Sequence, residues 1–571
     1  MRARLLLTSI PLIALLASVS HAEWQPDGVP IATSTNYQTT QTMASDGAGG
    51  AIVTWHEYRS ATGYDIYAQR ISASGDLLWT PGGVGISTAA RDQASPTIVS
   101  DGVGGAIVTW YDDRSCCFSS DIYAQRIDAA GEPLWTLDGV EICTAARAQI
   151  APQIVSDEAG GAIIAWEDGR VSGLNRDVFA QRINAAGAVL WTADGVALCT
   201  AANNQYLPRI VSDGAGGAIV TWTDFRIGGV SDIFAQRVDA SGAVAWTANG
   251  VGLSGPASSE YSPVIVADGA GGAIVTWQDF RSGVADIYAQ RINASGTPQW
   301  TPNGVVISAD GWETNGQIVL DGASGAIVTW HLLVSSEEFP NSDYDLYAQR
   351  VDASGAVQWT PDGMAISTAV GNQFASTMIP DGTGGAIIAW EDSLVGDDSS
   401  YDIRGQRVNA SGAVQWAPGG VAVCTAANEQ RRPAILSDDD SGAIVAWEDF
   451  RNGSNMDIFA LQVNPDGTIP TGVGDTPRAS AVALTSNYPN PFSTQTTFYL
   501  DLSVDADVMV DVYDVVGRRV RHVELGRMSA GSKAMPFDGA GDDGRHLPSG
   551  IYFYRVNANG AMVTQKMVIA R

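Results

Sequence analysis

Sixteen of the 17 tryptophans in this 571-residue chain lie on two interleaved ladders, and no other feature restricts the fold as strongly. The first is Trp55, Trp110, Trp166, Trp222, Trp277, Trp330, Trp390 and Trp447, each closing a segment that reads DGAGGAIVTW in its commonest form. The second is Trp24, Trp79, Trp135, Trp191, Trp246, Trp300, Trp359 and Trp416, each opening a segment like WTPDGMAI. Steps on both ladders run from 53 to 60 residues, so one supersecondary unit is used eight times, the mark of a propeller, solenoid or tandem array.

Read from Pro96, one unit offers four strands. Residues 97–100 are short and apolar, the glycines of DGVGG turn the chain, and 106–110 form a β-rich run with too few polar positions for a solvated face. Residues 121–127 (DIYAQRI) make the third strand, and Leu134-Trp135 reads as the fourth. Short strands with no helix to cover them leave each sheet with two apolar surfaces, which only neighbouring sheets can bury. The expected fold is therefore all-β: an eight-bladed β-propeller of four-stranded blades over residues 23–471. Its tryptophans are expected to fill the gaps between blades. The array begins with a lone fourth-strand segment at Trp24 and ends with Thr471 where the last Trp belongs, so the N-terminal strand is expected to complete the last sheet and close the ring.

Arg2 and Arg4, an apolar run from Leu5 to Leu16, and small residues up to Ala22 give residues 1–22 the pattern of a secretory signal. Cleavage near Ala22 would leave a protein outside the cytoplasm, secreted or on a cell surface, with no later stretch apolar enough to span a membrane. The negative charge belongs to residues 23–484, with 53 acids against 21 arginines, because the C-terminal segment is balanced and the first 22 residues add two arginines to give −30 for the chain. A body this acidic repels phosphate backbones, so nucleic acid is not an expected partner.

Cys143, Cys199 and Cys424 occupy the repeat position held elsewhere by Ser87, Ser254, Ser308 and Ser367, which asks for a small side chain and not a bridge. Cys116 and Cys117 are adjacent, suited either to a strained vicinal disulfide or to two free thiols. Acid and arginine recur at fixed offsets, as in Asp112 with Arg114 and Asp121 with Arg126, and are expected to pair within each blade. A site is better sought where copies differ. They differ most in the loops at 332–344 and 393–401, where Glu337, Glu338, Asp343, Asp397 and Asp398 form a candidate ligand rim. Such carboxylates suit Ca²⁺ or acid–base cleavage of a glycan, although no spacing matches a calcium loop and no other cofactor is expected.

Nucleophile elbow, P-loop and paired-His metal motifs are absent from the sequence. Regular repetition without a catalytic constellation favours a non-enzymatic binding scaffold presenting loops to an extracellular glycan or protein. The rivals are an extracellular polysaccharide hydrolase or lyase using rim carboxylates, and a structural surface-layer or adhesion protein.

After a linker at 472–484, residues 485–571 show strand-like alternation suited to a small β-sandwich. The motifs NYPNPF (Asn487, Pro489, Asn490, Pro491, Phe492), VYD followed by Gly517-Arg518, LPSGIYFY (Gly550, Tyr552) and Lys566 near the end stand in this order. This segment resembles the C-terminal sorting domain of type IX secretion cargo, which is similar in fold to the immunoglobulin-like domain of the flagellar hook-capping protein. The resemblance implies an Ig-like fold, the type IX secretion machinery as partner, and cargo released or attached at the cell surface. The repeat region likewise resembles propeller repeats of secreted bacterial proteins, which supply an architecture and no reaction.

Overall fold

The computed structural model describes residues 24–59, 63–116, 119–172, 175–255, 258–335, 343–393, 400–470, 482–484, 490, 492–502, 506–514, 518–529, 531–542, 544–558 and 561–570. Eight four-stranded antiparallel sheets form the repeat region. Blade 2 serves as the pattern: inner strand Gln93–Ser100, then Ala106–Cys116, Ser119–Ile127 and the outer strand Val140–Cys143. Inner strands of successive blades pack on one another all the way round, the eighth (Gln430–Ser437) against the first (Gln38–Ser45), so they line a central channel. The eighth blade is completed by Val29–Ala32, which pairs antiparallel with Asp457–Val463 and places Pro30 opposite Phe459. The fold is an eight-bladed β-propeller closed by its N-terminal strand.

Two strand expectations need correction. The fourth strand is not Leu134-Trp135: that stretch makes one isolated bridge, Ile127 with Pro133, and the outer strand follows it at Val140–Cys143. The inner strand does not begin at Thr97 but at Gln93, running through Pro96. Pro96 is tolerated because the register slips between Ala94 and Thr97, a bulge at which a missing N–H breaks no ladder bond. A slip at this place recurs in all eight blades. Within seven of these bulges stands a non-glycine residue at positive φ, namely Thr40, Ser95, Ala151, Leu207, Ser262, Ala375 and Arg432.

The two ladders do different things. First-ladder rings are fully buried between blades, and in blades 2 to 5 and 8 the indole N–H donates to the Asp two residues on, as Trp110 does to Asp112 at 2.9 Å. Second-ladder indoles reach into the next blade: Trp79 donates to the Ala129 carbonyl at 3.1 Å, and Trp416 to Pro465 at 3.0 Å. Trp24 closes the circle by donating to Ala73 at 2.9 Å. The opposed turn residue must be glycine, since a Cβ on Gly131 (φ +89) would sit 2.9 Å from the Trp79 ring.

The arginine of the third strand reinforces the same contact. Arg126 holds Asp101, the turn aspartate, at 2.8 Å and also donates to the Ala185 carbonyl that receives Trp135. Its partner is thus Asp101 and not Asp121 as the offsets implied; Asp121 lies in register with Asp112 and its carboxyl is pushed up by burial. The other expected pair forms: Arg114 grips Asp112 through two hydrogen bonds, at 2.9 and 2.6 Å, while its guanidinium lies 3.9 Å over the Tyr123 ring. Cys143, Cys199 and Cys424 are buried free thiols beside these arginines, with Arg170 donating to Cys143 Sγ at 3.0 Å. Cys117 lies outside the described residues.

The C-terminal region is a two-sheet β-sandwich. One sheet holds Val482–Leu484, Thr496–Leu502 and Gly531–Phe537; the other is ordered Arg519–Met528, Ala506–Asp514, Gly550–Ala558, Ala561–Ile569. Phe498 stacks on Tyr554 at 4.5 Å across a core that also holds Leu500, Val556 and Ile569.

Glu313 offers a test of how closely the blades pack. It stands where most blades have glutamine (Gln38, Gln93, Gln149, Gln205, Gln373, Gln430), and burial pushes its carboxyl up to about 7 from 4.5. Because the folded protein holds this proton where the unfolded chain has lost it, stability falls as pH rises from about 4.5 through about 7. Glu313→Gln is expected to raise Tm by roughly 1–3 °C at pH 8 and to leave it nearly unchanged at pH 4.5, read by calorimetry at both values. A variant no more stable than the parent at pH 8 contradicts this.

Candidate functional site

The bulges give the channel its chemistry. In blades 1, 2, 4, 7 and 8 the bulge turns a backbone N–H toward the preceding blade, where the residue following the first-ladder Trp receives it. Glu448 Oε1 accepts from Thr40 N at 2.7 Å, Glu167 Oε1 from Leu207 N at 2.9 Å, and Glu391 Oε1 from Arg432 N at 2.6 Å. In blades 1 and 6 the acceptor position holds a histidine, with His56 Nδ1 3.4 Å from Ser95 N. Burial pushes the carboxyls of Glu167, Glu391 and Glu448 up and holds both His56 and His331 down at about 4, so the imidazoles stay neutral.

Where blades 6, 7 and 8 meet, this recurring arrangement opens into a cavity of about 620 Å³ lined by Gln317, Phe374, Glu391, Tyr401, Arg431 and Arg432 among others. The local sequence departs from the repeat here. Blade 6 has Leu332 in place of the aspartate that follows the Trp by two residues, and blade 7 has Arg404 where other third strands carry an aromatic ring, reaching Asp392 at 2.6 Å. In blade 8 two arginines occupy bulge positions held elsewhere by pairs such as Ala94-Ser95 or Tyr261-Ser262. Arg431 pairs with Glu429 at 3.0 Å and lies 4.8 Å over the Tyr401 ring. Arg432 reaches Glu448 at only 3.4 Å, and its side chain is 64% exposed. A carboxyl that burial pushes up thus stands beside two guanidinium groups, one of them largely exposed.

Of the rim residues expected from sequence, Glu337, Glu338, Asp397 and Asp398 lie outside the described residues. Asp343 opens the third strand of blade 6, its Oδ1 buried without a hydrogen-bond partner and its carboxyl pushed up by burial. Two residues on, Asp345 is pushed up to about 7 by burial and by Asp343. Glu391, Arg431 and Arg432 did not stand out in the sequence. Their signal was there, as variation at the position after each first-ladder Trp and as paired arginines in an otherwise apolar or neutral inner strand.

In the C-terminal sandwich, Asn487, Pro489, Pro491 and Gly517 lie outside the described residues. The motif residues that are described hold the sandwich together. Asn490 Oδ1 accepts from Val568 N at 2.7 Å, Phe492 is buried and exchanges backbone hydrogen bonds with Val568 and Ala570, and Tyr552 Oη donates to Pro548 O at 3.1 Å. Arg518 is bonded to Asp514, Gly550 starts a strand, and Lys566 lies in the strand beside it.

Residues 490–561 match the FlgD Ig-like domain family. The C-terminal region is an Ig-like domain. No curated protein sequence matches this chain. Among solved structures it is similar to a family-25 polysaccharide lyase, an ulvan lyase bound to -[GlcA(1-4)Rha3S]-, at 10% identity over 79% of this chain and 97% of that one, TM-score 0.40. It is similar to a fungal alcohol oxidase in complex with copper, at 12% identity over 82% and 95%, TM-score 0.37. It is also similar to the endo-arabinase of Bacteroides thetaiotaomicron, at 12% identity over 48% and 97%, TM-score 0.26. These likenesses concern architecture alone.

The non-enzymatic expectation does not stand: it rested only on the absence of contiguous motifs, which excludes no enzyme, and the chains named here are a polysaccharide lyase, an alcohol oxidase and an endo-arabinase. The physical reason the sequence misled is plain. Catalytic motifs sought along a sequence are contiguous, whereas a propeller can bring single residues of different blades together, as those lining the cavity of blades 6 to 8 are.

Proposed function

We propose that the chain is an extracellular polysaccharide-cleaving propeller whose substrate carries acidic groups. The observation that carries this reading is the convergence of Glu391, Tyr401, Arg431 and Arg432 on one cavity. In a protein of net charge −30, two arginines at a channel wall mark a local place for an anion. Arg432, with its exposed guanidinium, meets a carboxylate or sulfate of the substrate, and Arg431 supports it from the Tyr401 ring. Glu391, whose carboxyl burial pushes up, gives a proton to the departing glycosidic oxygen, while water adds to the anomeric carbon in hydrolysis or a base takes the C5 proton of a uronate in elimination. Loop carboxylates Glu337, Glu338, Asp397 and Asp398 belong to the same blades and remain candidates for contact with substrate or with Ca²⁺.

The test is product release from polygalacturonate, alginate and ulvan, with laminarin and xylan as neutral controls, followed both as reducing ends and as unsaturated uronate absorbance. The expected result is cleavage of an anionic polymer that falls about 10²–10⁴-fold in Glu391→Gln and falls strongly in Arg432→Ala. Absorbance by unsaturated product identifies a lyase, and its absence a hydrolase. Cleavage undiminished in Glu391→Gln, or no cleavage of any polymer, overturns the reading.

We further propose that residues 1–22 are a secretory signal and that the C-terminal Ig-like domain is the address read by the type IX secretion machinery. The support is the order of its motifs together with the Ig-like fold those motifs stabilise. Residues 472–571 fused behind a signal peptide and a periplasmic reporter are expected to carry the reporter to the medium or cell surface of a host with type IX machinery. Retention of the reporter in the periplasm contradicts the proposal.

A further inference from the structure

The one tryptophan off both ladders is Trp312, and it is 44% exposed. It ends a row of five rings drawn from three consecutive blades. Tyr206 of blade 4 meets Phe225 edge-on at 5.9 Å, and Phe225 meets Tyr261 of blade 5 at 6.2 Å. Tyr261 meets Phe280 edge-on at 5.7 Å, and Phe280 meets Trp312 of blade 6 edge-on at 6.0 Å. None of the five is buried, and exposed Leu207, Ile227 and Val284 flank them.

Propeller packing does not require this row. Blades 1 to 3 carry Thr39, Ala94 and Ile150 where blades 4 and 5 carry Tyr206 and Tyr261, and they close their sheets equally well. The row also leads somewhere. Trp312 and Gln317 share the inner strand of blade 6, and Gln317 lines the cavity beside Phe374, itself 4.8 Å from Tyr344 and 6.2 Å from His331. The row thus ends five residues along one strand from the cavity lining, where a second aromatic group, His331, Phe374 and Tyr344, stands at the cavity wall.

We propose that Tyr206, Phe225, Tyr261, Phe280 and Trp312 form a binding subsite for the unreacting length of a polysaccharide chain, whose scissile part lies at Glu391. Sugar rings present flat C–H faces ringed by hydroxyls, and a partly exposed aromatic row takes such faces while leaving the hydroxyls in water. Edge-to-face packing locks the rings in place, so little rotamer freedom is lost when the chain settles. The arginines that follow Phe225 and Phe280 are engaged with Asp224 and Asp279 at 2.6 and 2.5 Å, so the row discriminates by shape, whereas Arg431 and Arg432 discriminate by charge. Binding energy collected there, remote from the reacting bond, serves to fix the chain across the cavity. The ligand class rests on the polysaccharide reading above; the placement of the row does not.

The test is affinity electrophoresis of the full chain through gels containing polygalacturonate, alginate or ulvan, with circular dichroism confirming that each variant is folded. The parent is expected to be retarded, while Trp312→Ala weakens retardation about tenfold and Trp312→Phe restores most of it. Tyr261→Ala, at the middle of the row, is expected to behave like Trp312→Ala. Retardation unchanged in both alanine variants overturns the subsite, as does a parent retarded by none of the polymers. Retardation that depends on Trp312 without any Glu391-dependent product release sustains the subsite and removes the cleavage reading, so the two failures are distinguishable.

Discussion

One contact, made eight times, holds this molecule in a circle. An indole N–H from one blade donates to a backbone carbonyl at the turn of the next, from Trp24 to Ala73 through to Trp416 and Pro465. In seven blades an arginine that also neutralises the turn aspartate donates to the same carbonyl. The contact joins burial of a large ring to the satisfaction of a polar group, so a blade that shifts loses both together. The eighth blade replaces the arginine by Gln462, which holds Asp438 at 2.7 Å, and relies on Trp24 and the Val29–Ala32 strand for the remainder.

Because the ring is fixed from outside by these clamps, the inner strands are left free to carry irregular backbone. Their bulges place residues such as Thr40 and Arg432 at positive φ and expose N–H groups that the preceding blade must answer. The answering residue is one position per blade, and its variation among glutamate, histidine and neutral side chains gives the channel wall its uneven charge. The cavity at blades 6 to 8 is the place where that variation coincides with two arginines.

Much of the architecture was legible because the ladders report packing that every blade needs, so their spacing gave the blade number and the unmatched ends at Trp24 and Thr471 pointed to closure. Strand limits were less legible. Pro96 reads as a break unless the bulge is known, and the aromatic Trp135 drew attention from the outer strand at Val140–Cys143, whose alternation is weaker. The pairing of Arg126 was misread because offsets along one strand do not say which turn a long side chain reaches. The site was least legible, since Glu391, Arg431 and Arg432 each look like an ordinary variant of a repeat position until the ring brings blades 7 and 8 side by side.

Closure of the ring by the N-terminal strand is the claim on which the rest stands, and native-state hydrogen exchange reads it directly. The hydrogen-bonded amides of the outer strand Val29–Ala32, where Pro30 has none, are expected to exchange as slowly as those of the outer strand Val140–Cys143 in blade 2, and those of Asp457–Val463 as slowly as those of Asp232–Val238 in blade 4. Fast exchange confined to Val29–Ala32 and the facing amides of Asp457–Val463, with the matching strands of blades 2 and 4 still protected, would contradict a closed propeller.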